Sequence, residues 1–149
     1  MTSIPRSNIS TLSLFALAAV VGCGANSDGP ETYPVSGVVM LADQPVAGAV
    51  ITFQPMSAEP GAMGAQATSG ADGAFDVKIA VAGGQSEKEG LPVGEYGVTV
   101  TKIETPTTLE RGSRPKNELP AKYADVSSSG LTAKVAAAGE NLVELKLTP

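Results

Sequence analysis

Residues 75–79 read Phe-Asp-Val-Lys-Ile, an unbroken alternation of apolar and polar side chains. Successive side chains of an extended strand point to opposite faces, so this pattern specifies a strand with one buried face and one wet face. A helix cannot segregate such a run, because its same-face neighbours lie three or four residues apart. Phe75, Val77 and Ile79 are therefore expected inward, with Asp76 and Lys78 toward water. The same period recurs from Tyr33 onward, and no sustained helical stripe interrupts it.

The other strands follow the same logic. Tyr33 to Leu41 sets Val35, Gly37, Val39 and Leu41 on one face, and Ala42-Asp-Gln-Pro45 turns the chain. Ala49 to Pro55 aims Ala49, Ile51 and Phe53 one way and Val50 and Thr52 the other. Ala65 to Ser69 leads into Gly70-Ala-Asp-Gly73, where Asp-Gly supplies the positive φ of a hairpin. The charged stretch from Ala82 to Gly90 reads as a loop. Tyr96 to Ile103 puts Tyr96, Val98 and Val100 inward, with Thr99 and Thr101 opposite. Residues 104–118 form the longest irregular stretch, and Leu131–Val135 and Leu142–Leu147 close the chain around a turn at 138–141. Seven short strands with regular turn signals predict an all-β chain built as a single seven-stranded antiparallel β-sandwich of Ig-like kind, with slight helix content.

Two absences restrict the chemistry. The 149 residues contain no His, and Cys23 is the only Cys. Ser-His-Asp and Cys-His catalysis and the usual His/Cys zinc sites need residues the chain lacks. No internal disulfide is possible, so packing alone must hold the fold. The acidic side chains are scattered over turns and outward strand positions, with no Trp beside them to grip a sugar. The expectation is a chain that is not an enzyme and needs no cofactor or metal. A formal charge of −5 without a basic stripe argues against nucleic-acid partners, whose phosphates demand cations.

Residues 1–22 read as a cleaved signal peptide. Arg6 is the one charge of the opening segment, and the ten residues Leu12 to Val21 form an apolar stretch broken only by Ser13. A membrane-spanning helix needs roughly 20 residues, so this stretch suits export and not permanent anchorage. It ends in Val20-Val-Gly-Cys-Gly24, which resembles the bacterial lipobox. That resemblance implies diacylglyceryl transfer to the Cys23 thiol, cleavage between Gly22 and Cys23, and acylation of the new amine with palmitate-like chains. Several acyl chains hold a domain at a membrane where one holds it only marginally. The alternative is an ordinary secretory signal whose cleavage site happens to carry a Cys. Gly24 lacks the acidic side chain that signals inner-membrane retention in some bacteria, which points to the outer membrane. Residues 23–32 then read as a flexible tether and 33–149 as the folded domain.

Three stretches carry a second likeness. Pro34 to Pro55, Ser69-Gly-Ala-Asp-Gly-Ala-Phe75 and Pro92-Val-Gly-Glu-Tyr-Gly-Val-Thr-Val100 resemble carboxypeptidase regulatory-like domains. Leu119-Pro-Ala-Lys-Tyr-Ala-Asp125 and Ser129-Gly-Leu-Thr132 are similar to small bacterial lipoproteins carrying that domain. The resemblance implies a transthyretin-like, seven-stranded sandwich that is not itself catalytic. Gly70 and Asp43 depart from the family pattern, where Asp and Gly respectively are common; the first weakens any cation site at Asp72.

The functional expectation is a membrane-tethered, non-catalytic lipoprotein module with a structural or protein-binding role in the cell envelope. The alternative is a secreted domain that binds a small ligand or carbohydrate. Arg111, Arg114, Lys116 and Tyr123 form a candidate binding loop. For the three cations the other reading is a solvated mobile loop. For Tyr123 it is a ring packed over a sandwich edge, with Asp125 beginning a turn.

Overall fold

The computed structural model describes residues 29–58, 60–104, 116–137 and 139–149. Ten strand segments run in chain order: β1 (Val35–Leu41), β2 (Gln44–Pro45), β3 (Val50–Pro55), β4 (Ala65–Thr68), β5 (Ala74–Asp76), β6 (Lys78–Val81), β7 (Ser86–Glu89), β8 (Gly94–Thr101), β9 (Leu131–Val135) and β10 (Asn141–Leu147). They form two sheets. The smaller has β1 at its centre, β10 along one side, and β2 and β5 sharing the other. The larger has the order β7-β6-β4-β3-β8-β9. The fold is all-β and sandwich-like.

The period-two pattern explains the interior. Val35 and Val39 of β1, Ile51 and Phe53 of β3, Phe75, Ile79, and Tyr96, Val98 and Val100 of β8 are all buried in one cluster. Burying each large apolar side chain stabilises the fold by roughly 1.5–3 kcal/mol. Phe53 from the larger sheet and Phe75 from the smaller meet with ring centroids 6.1 Å apart, tilted by 49°. Gly37 makes room for that contact. A Cβ there would stand 2.6 Å from the Phe75 ring and collide with the Val143 carbonyl oxygen.

The run Phe75–Ile79 does not stay in one sheet. Asp76 pairs with Ser36 of the smaller sheet, and Lys78 pairs with Gln66 of the larger. Val77 lies at the crossing, where its amide donates to the Val35 carbonyl oxygen and its own carbonyl accepts from the Gly90 amide. Alternation survives because Phe75, Val77 and Ile79 all point into the shared core.

Three expectations need correction. The arrangement is not wholly antiparallel: β1 and β10 pair in parallel over seven residues, Val35 opposite Asn141 through Leu41 opposite Leu147. Parallel neighbours need a long connection, and here almost the whole domain lies between them. Next, Ser86–Glu89 is a strand despite its charge. At a sheet edge it needs no apolar partner, and Lys78 and Glu89 face each other across the pair. Last, seven segments become ten, because β2, β5 and β7 are separate short pieces.

Among the described residues, helix is confined to two short 3-10 turns and the four-residue α1 (Val126–Ser129). Asp125 starts α1, its carboxylate accepting from the Ser127 amide at 2.8 Å and the Ser127 hydroxyl at 2.6 Å. Val126 then covers Gly97 on the outward side of β8, where a Cβ would meet its Cγ1 at 2.6 Å. Thr99, outward by parity, is also buried.

Candidate functional site

The expected lipid site and cleavage position, Cys23 and Gly22, lie outside the described residues, as do Arg111 and Arg114. Lys116 is exposed, and its carbonyl accepts from the Glu104 amide at 2.9 Å. Tyr123 is 4% exposed and belongs to the core cluster. Its hydroxyl accepts from the Thr148 amide at 2.8 Å, and the Lys122 ammonium lies 5.0 Å from its ring centre. Burial pushes the phenol's pKa up, but the Thr148 contacts and the Lys122 charge outweigh it and leave the group below its ordinary value. Exposed Lys116 and buried Tyr123 thus do not present a common surface.

What the strands position instead is two outward sheet faces of different chemistry. On the larger sheet, register aligns Glu89, Lys78, Gln66, Thr52 and Thr99 across five strands. Gln66 donates its amide to the Thr52 hydroxyl at 3.4 Å, and Lys78 lies 3.8 Å from Glu87. Val50, Gln54, Thr68 and Ala80 complete a shallow groove of about 660 Å³. Thr52, Gln54, Gln66, Thr68 and Lys78 supply donors and acceptors there, with Val50 and Ala80 apolar between them.

The smaller sheet turns a different face outward. Leu142, Ser36 and Asp76 form one cross-strand row, Glu144, Val38 and Ala74 the next, and Lys146, Met40 and Pro45 a third. Apolar side chains run obliquely from Leu142 on the edge strand β10, 78% exposed, to half-buried Val38 and Met40 on the central β1. Charges stand at the rim: Lys146 pairs with Glu144 at 3.3 Å, and Ser36 donates to Glu140 at 3.0 Å. A hollow of about 580 Å³ lies between Leu142, Val38 and Ala74. The sequence carried a signal for this face. Val38-Val-Met-Leu41 is apolar at four successive positions, so it must place apolar groups on both sides of its strand.

Among the described residues no cluster of three or more potential metal ligands occurs, and no helix is long and apolar enough to cross a membrane. No protein-family model, curated protein sequence or solved structure matches the chain.

Proposed function

We propose that this chain is a non-catalytic lipoprotein module, exported and held at the bacterial cell envelope through acylated Cys23, whose sandwich docks a protein partner. The observation that carries the docking role is the outward face of the smaller sheet. Leu142, Val38, Met40 and Ala74 form an apolar strip in water, bordered by Asp76 and Glu144. Contiguous exposed apolar surface rimmed by polar groups is typical of protein-binding sites. Support for the tether is the sequence Val20-Val-Gly-Cys23 after a short apolar stretch. We assign the domain to the carboxypeptidase regulatory-like, transthyretin-like sandwiches, with β1, β3, β4, β6, β8, β9 and β10 as its seven principal strands and β2, β5 and β7 as extensions.

Two measurements test this reading separately. Intact mass of the membrane-fraction protein should begin at Cys23 with added acyl mass, and Cys23→Ala should lose that mass. A photo-cross-linker placed at Leu142 should join the chain to one envelope protein, and Val38→Glu should abolish the product. An unacylated, soluble wild type sinks the tether. Absence of a cross-link at Leu142 sinks the docking face.

A second reading rests on the groove of the larger sheet. Its amide and hydroxyl side chains suit a polyhydroxylated ligand such as a carbohydrate. Glycan-array binding lost in Gln66→Ala would favour it.

A further inference from the structure

We infer that β10 is a self-association edge, pairing antiparallel with β10 of a second copy about a two-fold axis at Leu145. Among the described residues, no strand occupies the side of β10 away from β1. The backbone polarity of that side can be read from its ends. The Asn141 amide donates to Pro34 and the Leu147 carbonyl accepts from Ala42, so the odd-numbered groups face β1. Amides and carbonyls of Leu142, Glu144 and Lys146 therefore face outward along the edge. At Thr148 the edge closes, because its amide is already given to the Tyr123 hydroxyl.

An antiparallel partner bonds to residues whose amide and carbonyl both point across the gap. Apart from the registers that set Leu142 opposite itself or opposite Glu144, which bring no Glu144 against Lys146, parity permits Glu144 opposite itself, Lys146 opposite itself, or Glu144 opposite Lys146 of the second copy. The first two set like charges face to face. The third forms an opposite-charge pair twice, once on each side of the axis. Exposed edges are normally guarded by charge, but a strand carrying one acid and one base two residues apart is complementary to its own reverse. Both side chains are more than half exposed, 54% for Glu144 and 63% for Lys146, so little desolvation opposes the contact. Outward side chains stay on one face across the junction, and exposed Leu142 of each copy moves toward the Thr148 end of the other. Tyr123 limits the ladder to the two Glu144–Lys146 pairs, four backbone bonds in all, so association is weak.

Sedimentation of the full chain in mild detergent tests the register. Wild type should self-associate to a dimer as concentration rises. Glu144→Lys and Lys146→Glu should each weaken association about tenfold by setting like charges opposite. An equimolar mixture of these two variants should dimerise again, since each supplies the charges the other lacks. Glu144→Pro removes an outward amide without touching the β1 ladder, and should leave a monomer with unchanged circular dichroism. A wild type that stays monomeric at the highest concentration overturns the inference. So does a wild-type dimer that both reversals leave equally tight.

Discussion

The Tyr96 hydroxyl donates to the Pro92 carbonyl oxygen at 2.9 Å, closing a four-residue loop at the start of β8. The ring is 1% exposed, so the bond lies inside the core and fixes where the longest strand begins. A Tyr near a strand start that bonds back to backbone just upstream is a feature of Greek-key sandwiches. Removing the hydroxyl leaves a buried carbonyl unpaired. Tyr96→Phe should destabilise the domain by about 1–3 kcal/mol in urea unfolding, with the slope unchanged.

The same side chain links stability to alkali. Burial raises the Tyr96 pKa above its ordinary value of 10.0. A phenol whose folded pKa exceeds its unfolded one contributes stability that is fully present below the unfolded pKa. That contribution disappears as pH rises through the folded pKa, because only the unfolded chain ionises easily. The gap between wild type and Tyr96→Phe should be constant below pH 10.0 and narrow above it. A gap that widens in alkali would contradict this.

Ser69 is a buried polar group that two separate segments depend on. Its hydroxyl donates to the Val46 carbonyl at 2.6 Å and accepts from the Ala49 amide at 2.9 Å. Ser69→Ala should cost about 1–3 kcal/mol by stranding both. Hydrogen exchange should report the loss locally, as faster exchange at the Ala49 amide.

Gly37 should tolerate no side chain. In Gly37→Ala the new methyl meets the Phe75 ring and the Val143 carbonyl together. Overpacking of this kind costs about 3 kcal/mol. Phe75→Leu in the same chain should recover only part of the loss, because the carbonyl belongs to the β1–β10 ladder and cannot retreat. Complete recovery in thermal unfolding would show that the ring alone sets the limit.

The turn between β1 and β2 offers a gain. Ala42 and Asp43 have φ of 49° and 63°, both left-handed, as a tight hairpin of this type requires. Neither residue is the best choice there. Ala42→Asn with Asp43→Gly should stabilise by about 1 kcal/mol, read as a higher unfolding midpoint.

Asp125 gives an acid-side counterpart. Hydrogen bonds from the Ser127 hydroxyl and amide lower its pKa below the ordinary value. A depressed carboxylate contributes stability above its unfolded pKa and loses it as pH falls through the folded one. Asp125→Ala should therefore lower the melting temperature at neutral pH and match wild type in strong acid. A difference that persists in strong acid would assign the effect to packing.

Much of the fold was legible because one rule, alternation, governed it. Phe75, Val77 and Ile79 are buried where their parity puts them, as are Ile51, Phe53, Tyr96, Val98 and Val100. Parity says nothing about which strands become neighbours, so the parallel β1–β10 pair and the sheet change at Val77 were invisible. Nor does it report what covers an outward face, which is why the burial of Thr99 came as a structural finding. Hydrophobicity does not mark Ser86-Glu-Lys-Glu89 as a strand, because an edge strand needs only backbone partners. Arg111 and Arg114 lie outside the described residues, and the apolar strip joins three strands far apart in sequence.

The parallel pairing of β1 with β10 has a mechanical meaning. Chain enters β1 at Val35 and leaves β10 at Leu147, at opposite ends of two strands running the same way. Tension between these points drags the strands past each other along their length. All seven register positions then resist at once, in shear, instead of parting in sequence like a zipper. A domain pulled from its first residues while gripped near its last would meet that load with its longest ladder.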